Sequence, residues 1–279
     1  MRFDVADEER TFAESVRSAL GGWEAPREPE LGAWQDDGDA ALEARLEAVG
    51  FAELWKGGDL IGATVAGAHE LGRAVAPIGV VDAATLGAPL WVGGRARHGL
   101  RAEFFAAPRP GGGLALVRRS SDPLRETTLD GNGTVRVEVD AGPSLDGDDA
   151  RARWQAWSAA TLSYVAGLGE RALELAVEHA RTREQFGAPL AALPAVQSRL
   201  ADAALVVDAT RLLAWLPADG ESPRASALAW AGAACCEATA SAIQVHGAVG
   251  FALESGLHCA FRRARAVHLW ALAACAAAR

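Results

Sequence analysis

The chain has 279 residues, and half of them are hydrophobic, which is enough apolar material for a core of ordinary size. Its 27 lysines and arginines stand against 36 aspartates and glutamates, so the formal net charge is -9. This excess of acid repels a phosphate backbone and argues against a nucleic-acid partner. The apolar residues form no membrane-spanning run, and the first residues lack the order of a signal peptide. We therefore expect a soluble, cytoplasmic protein that binds neither nucleic acid nor membrane.

The sequence contains no recognisable metal site. The cysteines lack the paired spacing of zinc ligands, and the six histidines are not spaced four apart as ligands on one helix would be. We predict no metal and four reduced cysteines inside the core: Cys235, Cys236, Cys259 and Cys275.

The N-terminal third has the apolar periodicity of helices. It runs over residues 3–20, 39–49 and 62–75. In the first of these ranges Phe12 and Val16 lie four residues apart, as on one helix face.

Between about residues 112 and 140 the pattern changes to alternation and β-branched runs. The tetrapeptide "DGNG" at 130–133 is a hairpin turn signal. We predict a small insert of two or three strands, followed by a linker at 141–150.

From residue 151 onward the chain is predicted to form an antiparallel four-helix bundle. The first helix has an apolar stripe. Three further helices are predicted over residues 195–216, 225–246 and 254–273. The stripe consists of Trp154, Trp157, Thr161, Tyr164, Leu168, Ala172 and Leu175. Within this helix "GLGERA" at 167–172 matches a dinucleotide-binding pattern, but no strand precedes it, so we interpret its glycines as points of close helix contact.

The segment "ARTREQFGAPL" at 180–190 closes the first bundle helix. Taken alone, it is a helix C-terminus with Arg181 and Arg183 near the negative end of the helix dipole and Gly187 as the cap. The alternative, a binding site, depends on its wider context.

That context is a resemblance. The segments "GLGERALELAVEHARTREQFGAPLAALPAVQSRLADAAL" and "AIQVHGAVGFALESGLHCAFRRARAVHLW" resemble the C-terminal bundle of the flavin-dependent acyl-CoA dehydrogenases. "FDVADEERTFAESVRSAL", "EAVGFAEL" and "AHELGRAVAP" are similar, more loosely, to that family's opening helical domain. The family's full β-domain, with its Thr-Glu…Gly-Ser-Asp loop and Trp-x-Thr-Asn stretch, corresponds here to a much shorter span, between about residues 112 and 140, that contains neither motif.

The resemblance implies a mainly α fold with a reduced β content. Its domains are an N-terminal helical domain at 1–107, a reduced β segment with a linker at 108–150, and a C-terminal antiparallel four-helix bundle at 151–279.

The resemblance also implies that one end of the bundle touches flavin adenine dinucleotide (FAD). Arg183 matches the arginine that reaches the diphosphate of a partner's FAD, a task suited to the planar guanidinium fork. Gln185 and Phe186 would pack the same turn against the cofactor. The second matched segment contributes Gln244, His246 and Gly247, and Ala248 departs from the family's second glycine there. These six matched residues are the predicted cofactor contacts.

The same resemblance predicts no catalytic residue in this chain. The family's usual glutamate base corresponds to Ala271, and the alternative location on the first bundle helix corresponds to Trp157. Neither side chain can accept a proton.

We therefore expect a non-catalytic subunit of a heteromeric acyl-CoA dehydrogenase, a heterodimer or heterotetramer that oxidises a CoA thioester, for example one with a steroid side chain. A catalytic partner would hold FAD and the acyl-CoA. One alternative is a diverged homodimeric flavoprotein that acts on a CoA-bound or carrier-bound substrate. The other is a non-enzymatic scaffold or regulatory protein of the same fold.

Overall fold

The computed structural model describes residues 6–25, 40–56, 61–126, 128, 133–145, 147–216 and 225–279. The turn expected between the second and third bundle helices lies outside these ranges, as do three of the four residues of the expected hairpin turn.

The described chain is mainly helical, as predicted. Four helices precede the strands: α1 (Asp7–Ala19), α2 (Ala40–Ala48), α3 (Ile61–Arg73) and α4 (Gly79–Leu86). Four follow them: α5 (Asp148–Thr182), α6 (Pro194–Ala214), α7 (Ala225–His246) and α8 (Leu257–Ala277). The short helix α4 was not predicted. It begins two residues after Pro77 and ends at Gly87, whose φ of 82° stops the helix.

The β region is larger than predicted. Its strands are β1 (Trp91–Val92), β2 (Arg95–Ala96), β3 (Phe104–Arg109), β4 (Gly113–Arg119), β5 (Leu124–Arg125), β6 (Val135–Arg136), β7 (Val139–Asp140) and β8 (Ser144–Leu145). One sheet has the order β1-β2-β6-β5, and the other has β3-β4-β7 with β8 also paired to β4.

The prediction of two or three strands after residue 112 was therefore wrong. Strands begin at Trp91, inside the range predicted for the N-terminal helical domain. Most of the strands are two residues long, too short for alternation to show. In β3 the four central residues, Phe105 to Pro108, are all buried, so this strand does not alternate in polarity either.

Helix α5 connects the N-terminal helices with the C-terminal bundle through its packing contacts. It packs against α3 and α4 on the N-terminal side and against α6, α7 and α8 in the bundle. Five members of its predicted apolar stripe are buried, and Trp154 and Leu175 are partly buried. The predicted four-helix bundle is confirmed.

Two glycines bring α3 and α5 into close contact. A Cβ atom at Gly167 would collide with the carbonyl oxygen of His69, and one at Gly72 would collide with that of Tyr164. This confirms the interpretation of the "GLGERA" glycines as packing residues, since Gly167 lies in mid-helix.

All four cysteines are free and buried. Burial raises the pKa of Cys235 to about 12 and that of Cys236 to about 11. No helix in the described part of the chain is both long enough and apolar enough to cross a bilayer.

Candidate functional site

The end of α5 continues into a tight β-hairpin. The amide of Arg183 donates to the carbonyl of His179 (2.9 Å), after which the backbone becomes extended. Strand β9 (Glu184–Gln185) pairs antiparallel with β10 (Ala188–Pro189). The amide of Leu190 then donates to the carbonyl of Arg183 (2.8 Å) and closes the hairpin.

This hairpin corrects the local interpretation of Gly187 as the helix cap. The cap residue of α5 is Arg183, and Gly187 is the second residue of a two-residue turn. Phe186 and Gly187 have φ values of 54° and 81°, as in the turns that best fit the twist of a hairpin. A left-handed conformation is unusual for a phenylalanine, and the Phe186 side chain is 92% exposed.

The second predicted segment forms the end of α7 and the 3-10 turn that follows it. Nδ1 of His246 lies 2.8 Å from the carbonyl oxygen of Ala242, one turn earlier. Gly247 has a φ of 63° and opens the turn Gly247–Phe251. A Cβ atom at Gly250 would collide with the backbone of α7, so this glycine lets the turn fold back onto the helix.

A pair of histidines joins these two segments. The rings of His179 and His246 stack with centroids 4.3 Å apart and an interplanar angle of 22°. Burial lowers the pKa of His179, and the nearby His246 and Arg183 lower it further. Sequence reasoning did not identify His179 as a site residue. Its only local signal is its position four residues before Arg183, and the stacking partner comes from a different helix.

The structure thus places the two predicted segments at the same end of the bundle. Arg183, Gln185, Phe186 and Gln244 are exposed, whereas His246 and Gly247 are partly buried. In the described part of the chain neither Arg181 nor Arg183 forms an ion pair. Guanidinium and amide donors without internal acceptors suit an external anion. We call this surface, formed by 183–187 and 244–251, the hairpin end.

Apolar side chains accompany these donors. Besides Phe186, the turn after α7 exposes Val249 (59%) and Phe251 (74%). Large apolar residues that remain exposed beside polar donors are typical of a surface that another molecule covers.

The two positions assigned to a catalytic base are both interior. Trp157 is completely buried, Ala271 is 2% exposed, and both belong to the same apolar cluster. Trp154 stacks on Trp157 with ring centroids 4.7 Å apart.

The carboxylate nearest to Trp157 is already occupied by hydrogen bonds. Asp82 accepts two from Arg97 (2.6 and 2.7 Å) and one from the indole of Trp157 (2.9 Å). The Leu90 amide donates a longer bond to it (3.4 Å). Because Asp82 and Arg97 are both fully buried, this carboxylate is a structural ion-pair partner in the present conformation. The described residues also contain no group of three or more potential metal ligands.

Comparison with known proteins shows which families and structures the chain is similar to. The model of the acyl-CoA dehydrogenase C-terminal domain matches residues 156–271. The chain is 37% identical over 105 residues to the 3-sulfinopropanoyl-CoA desulfinase of Paraburkholderia xenovorans (strain LB400). That match covers 36% of this chain and 27% of the desulfinase, so the chain matches well under a third of this relative's length.

Solved structures extend the similarity of fold to nearly the whole chain. The Tcur3481-Tcur3483 steroid ACAD G363A variant superposes with a TM-score of 0.72 at 21% identity, over 95% of this chain and 93% of that chain. The ChsE4-ChsE5 complex from Mycobacterium tuberculosis gives a TM-score of 0.70 at 19% identity, over 98% and 96%. At such identities the likeness describes the fold alone.

Proposed function

We propose that the chain is the non-catalytic subunit of a heteromeric, FAD-dependent acyl-CoA dehydrogenase, because residues 156–271 match the C-terminal domain of that family. The observation that carries the proposal is the hairpin end. The stacked His179 and His246 hold Arg183 and Gln244 at one end of the bundle, with their donors turned to solvent. These donors suit a ligand that a neighbouring subunit presents.

The residues at the hairpin end fit the diphosphate part of FAD. Arg183 can donate two parallel bonds to phosphate oxygens, and Gln244 adds an amide donor from the end of α7. Gly247, with its positive φ, keeps the following turn free of a Cβ atom at that point. Ala248 is exposed, so its extra Cβ lies on the surface. When bound, FAD supplies the acceptor for the hydride removed from the thioester.

The interior of this chain supports a non-catalytic role. Proton abstraction needs a carboxylate within hydrogen-bond reach of the substrate. Ala271 has no such group, and Trp157 donates its only polar hydrogen to Asp82. We propose that the partner subunit supplies the base, the flavin ring site and the acyl-CoA site.

The proposed substrate is a CoA thioester with a bulky acyl group, and a steroid side chain is the leading candidate. Two structural neighbours, the Tcur3481-Tcur3483 steroid ACAD and the ChsE4-ChsE5 complex, support the heteromeric assembly, and the first also supports the steroid class of substrate. The proposal for this chain takes the assembly and the substrate class from those proteins by analogy of fold.

Co-expression with dehydrogenase subunits encoded by neighbouring genes tests the proposal. We expect a complex that retains flavin, and we expect Arg183→Ala to weaken flavin retention by about tenfold or more, because charge-assisted hydrogen bonds each contribute about 1.5–3 kcal/mol. Arg211→Ala is the matched control, since Arg211 is an exposed arginine on α6 that pairs with Asp208. Flavin content that is equal in all three complexes, or failure to co-purify with any such subunit, would contradict the proposal.

A second candidate function is a homodimeric flavoprotein that catalyses a different reaction. The similarity to a desulfinase favours it, because that relative shares the C-terminal domain without being named a dehydrogenase. This candidate requires that the chain purified alone be yellow. A chain that binds no flavin, alone or with any partner, would instead be a non-enzymatic scaffold.

A further inference from the structure

The stacked histidines belong to the same two helix ends as the donors of the hairpin end. His179 lies one helical turn before Arg183, whose amide donates to the His179 carbonyl (2.9 Å). His246 is the last residue of α7, two residues after Gln244. The ring centroids are only 4.3 Å apart, and Arg183 is close enough to lower the pKa of His179. The charge of this pair and the charge of the binding arginine therefore act on each other.

The hydrogen bond of His246 determines where a proton can enter the pair. Its Nδ1 lies 2.8 Å from the carbonyl oxygen of Ala242, and because a carbonyl oxygen only accepts, Nδ1 carries the hydrogen. In the neutral ring Nε2 is then the basic nitrogen. Both histidines are partly buried, and two imidazolium ions at this spacing would repel each other. The pair can thus take up one proton much more readily than two.

The surroundings favour the neutral form of the pair in the absence of a ligand. Burial is the largest cause of the lowered pKa of His179, and His246 and Arg183 add to it. Glu178 and Glu184 are near in sequence, but both are exposed, and neither contributes to this shift. The pair therefore lacks a carboxylate that would stabilise its protonated form.

The elements packed against the two helix ends add a further cation. Arg199 on α6 donates to the hydroxyl of Ser241 on α7 (3.5 Å), one turn before Gln244. The 3-10 helix Leu190–Ala192 and α8 contribute apolar side chains to the cluster that joins α5 and α7 here. An anion bound at the hairpin end would supply the negative charge that these elements do not.

We infer that the stacked pair of His179 and His246 takes up one proton when a diphosphate binds at the hairpin end, so that binding tightens as the pH falls. The inference rests on the proposed function for the location of the diphosphate. The bound anion favours the imidazolium form, and one proton taken up strengthens binding by at most about tenfold per pH unit. The coupling acts between the lower pKa of the free pair and the higher pKa of the occupied pair. Outside that window the two states carry the same number of protons.

The direct test is the pH dependence of ADP-ribose binding to the isolated full-length chain. ADP-ribose contains the adenosine diphosphate half of FAD. Its diphosphate is esterified at both ends, so its charge stays constant over the range in which histidine titrates, about pH 5–8. We expect the dissociation constant, measured by calorimetry, to be about tenfold lower near pH 5.5 than near pH 7.5, a coupling of the usual size between two sites.

Three variants locate the effect. The double variant His179→Gln/His246→Gln keeps hydrogen-bonding side chains but cannot take up the proton, and it should lose the pH dependence while it binds like the wild type near pH 7.5. Arg183→Ala should weaken binding at both pH values. His268→Gln is the matched control, because His268 is a partly buried histidine on α8 whose pKa burial also lowers, and it should keep the full pH dependence.

A second measurement needs no variant and applies if the double variant does not fold. Titration of the wild-type chain near pH 6.5 in two buffers of different ionisation enthalpy counts the protons directly, and we expect a net uptake on binding. Net release, or no exchange of protons, would contradict the inference.

The other outcomes are equally decisive. No binding of ADP-ribose, equal affinity at the two pH values, or full pH dependence in the double variant would overturn the inference. So would wild-type affinity in Arg183→Ala, because the ligand would then lie elsewhere. None of these measurements uses a partner subunit or flavin, whereas the proposed function fails on co-purification and flavin content. The two failures are therefore distinguishable.

Discussion

Asp82 and Arg97 form a bidentate ion pair that is completely excluded from solvent, with hydrogen bonds of 2.6 and 2.7 Å. Removal of one partner would leave the other charge buried without compensation. We expect Arg97→Met to lower the free energy of unfolding by about 3–5 kcal/mol, as measured by urea denaturation.

Two controls accompany this prediction. The double variant Asp82→Asn/Arg97→Met removes both charges and should recover part of the loss. Arg118→Met breaks an exposed pair with Glu103 and should cost less than about 1 kcal/mol. Equal effects of Arg97→Met and Arg118→Met would show that the buried pair is not a point of special sensitivity.

The contact between α3 and α5 at Gly167 leads to a second prediction, which concerns stability. A methyl group there meets the backbone carbonyl of His69, which cannot move without displacing α3. We expect Gly167→Ala to destabilise the chain by about 1–3 kcal/mol, despite the better helix propensity of alanine.

Gly169→Ala, two residues further along α5, is the control. Its methyl group would lie 2.9 Å from a Val207 methyl, and a side chain can shift more easily than backbone. A lower melting temperature for Gly169→Ala than for Gly167→Ala would refute this view of the helix contact.

The stacked histidines predict a pH dependence of stability. Burial, together with His246 and Arg183, lowers the pKa of His179 below its ordinary value of 6.5. Because His179 has the lower pKa in the folded chain, the unfolded chain takes up the proton first as the pH falls through 6.5. The contribution of His179 to stability is therefore fully present above pH 6.5 and is lost as the pH falls towards the lowered pKa of the folded chain. We expect His179→Gln to reduce the acid sensitivity of the denaturation midpoint. An unchanged pH profile would argue against this assignment.

The buried cysteines predict a chain that resists thiol modification. Since burial raises the pKa of Cys235 to about 12 and that of Cys236 to about 11, almost no thiolate exists at neutral pH. We expect alkylation of the native chain by iodoacetamide to be slow and to accelerate on addition of denaturant, as followed by intact mass. Rapid labelling of either residue under native conditions would contradict the structure.

The helical part of the fold was predictable because its pattern is long. An apolar stripe of six turns on α5 identifies a buried helix whatever the details of packing. By contrast, strands such as Trp91–Val92 and Arg95–Ala96 are too short to establish a period, and their pairing depends on residues far along the chain.

Some residues of the candidate site could also be predicted from the sequence, whereas others could not. The matched segments predicted Arg183 and Gln244, because their residue types and spacing are local. The stack of His179 on His246 depends on two helices that meet only in the folded chain. Asp82, Arg97 and Trp157 come together from α4, the β region and α5, and neither periodicity nor composition indicates such a meeting.

Phe186 combines two features that are unfavourable in an isolated chain. Its backbone has a φ of 54°, and its ring is 92% exposed. Asparagine adopts this left-handed conformation more readily than phenylalanine does, and an exposed ring has little packing to lose. We therefore expect Phe186→Asn to stabilise the isolated chain by about 0.5–1 kcal/mol, as measured by chemical denaturation.

The same substitution should weaken the complex. If the partner covers the hairpin end, the Phe186 ring becomes buried on association, and aromatic anchors of this kind typically contribute about 2 kcal/mol or more to binding. We expect at least about a tenfold loss of affinity for the partner, measured by titration. Leu205→Asn provides the control, because Leu205 is an exposed leucine on α6, and it should leave the affinity unchanged. A Phe186→Asn chain that is more stable and binds its partner normally would place the partner elsewhere and leave the strain at Phe186 without a function.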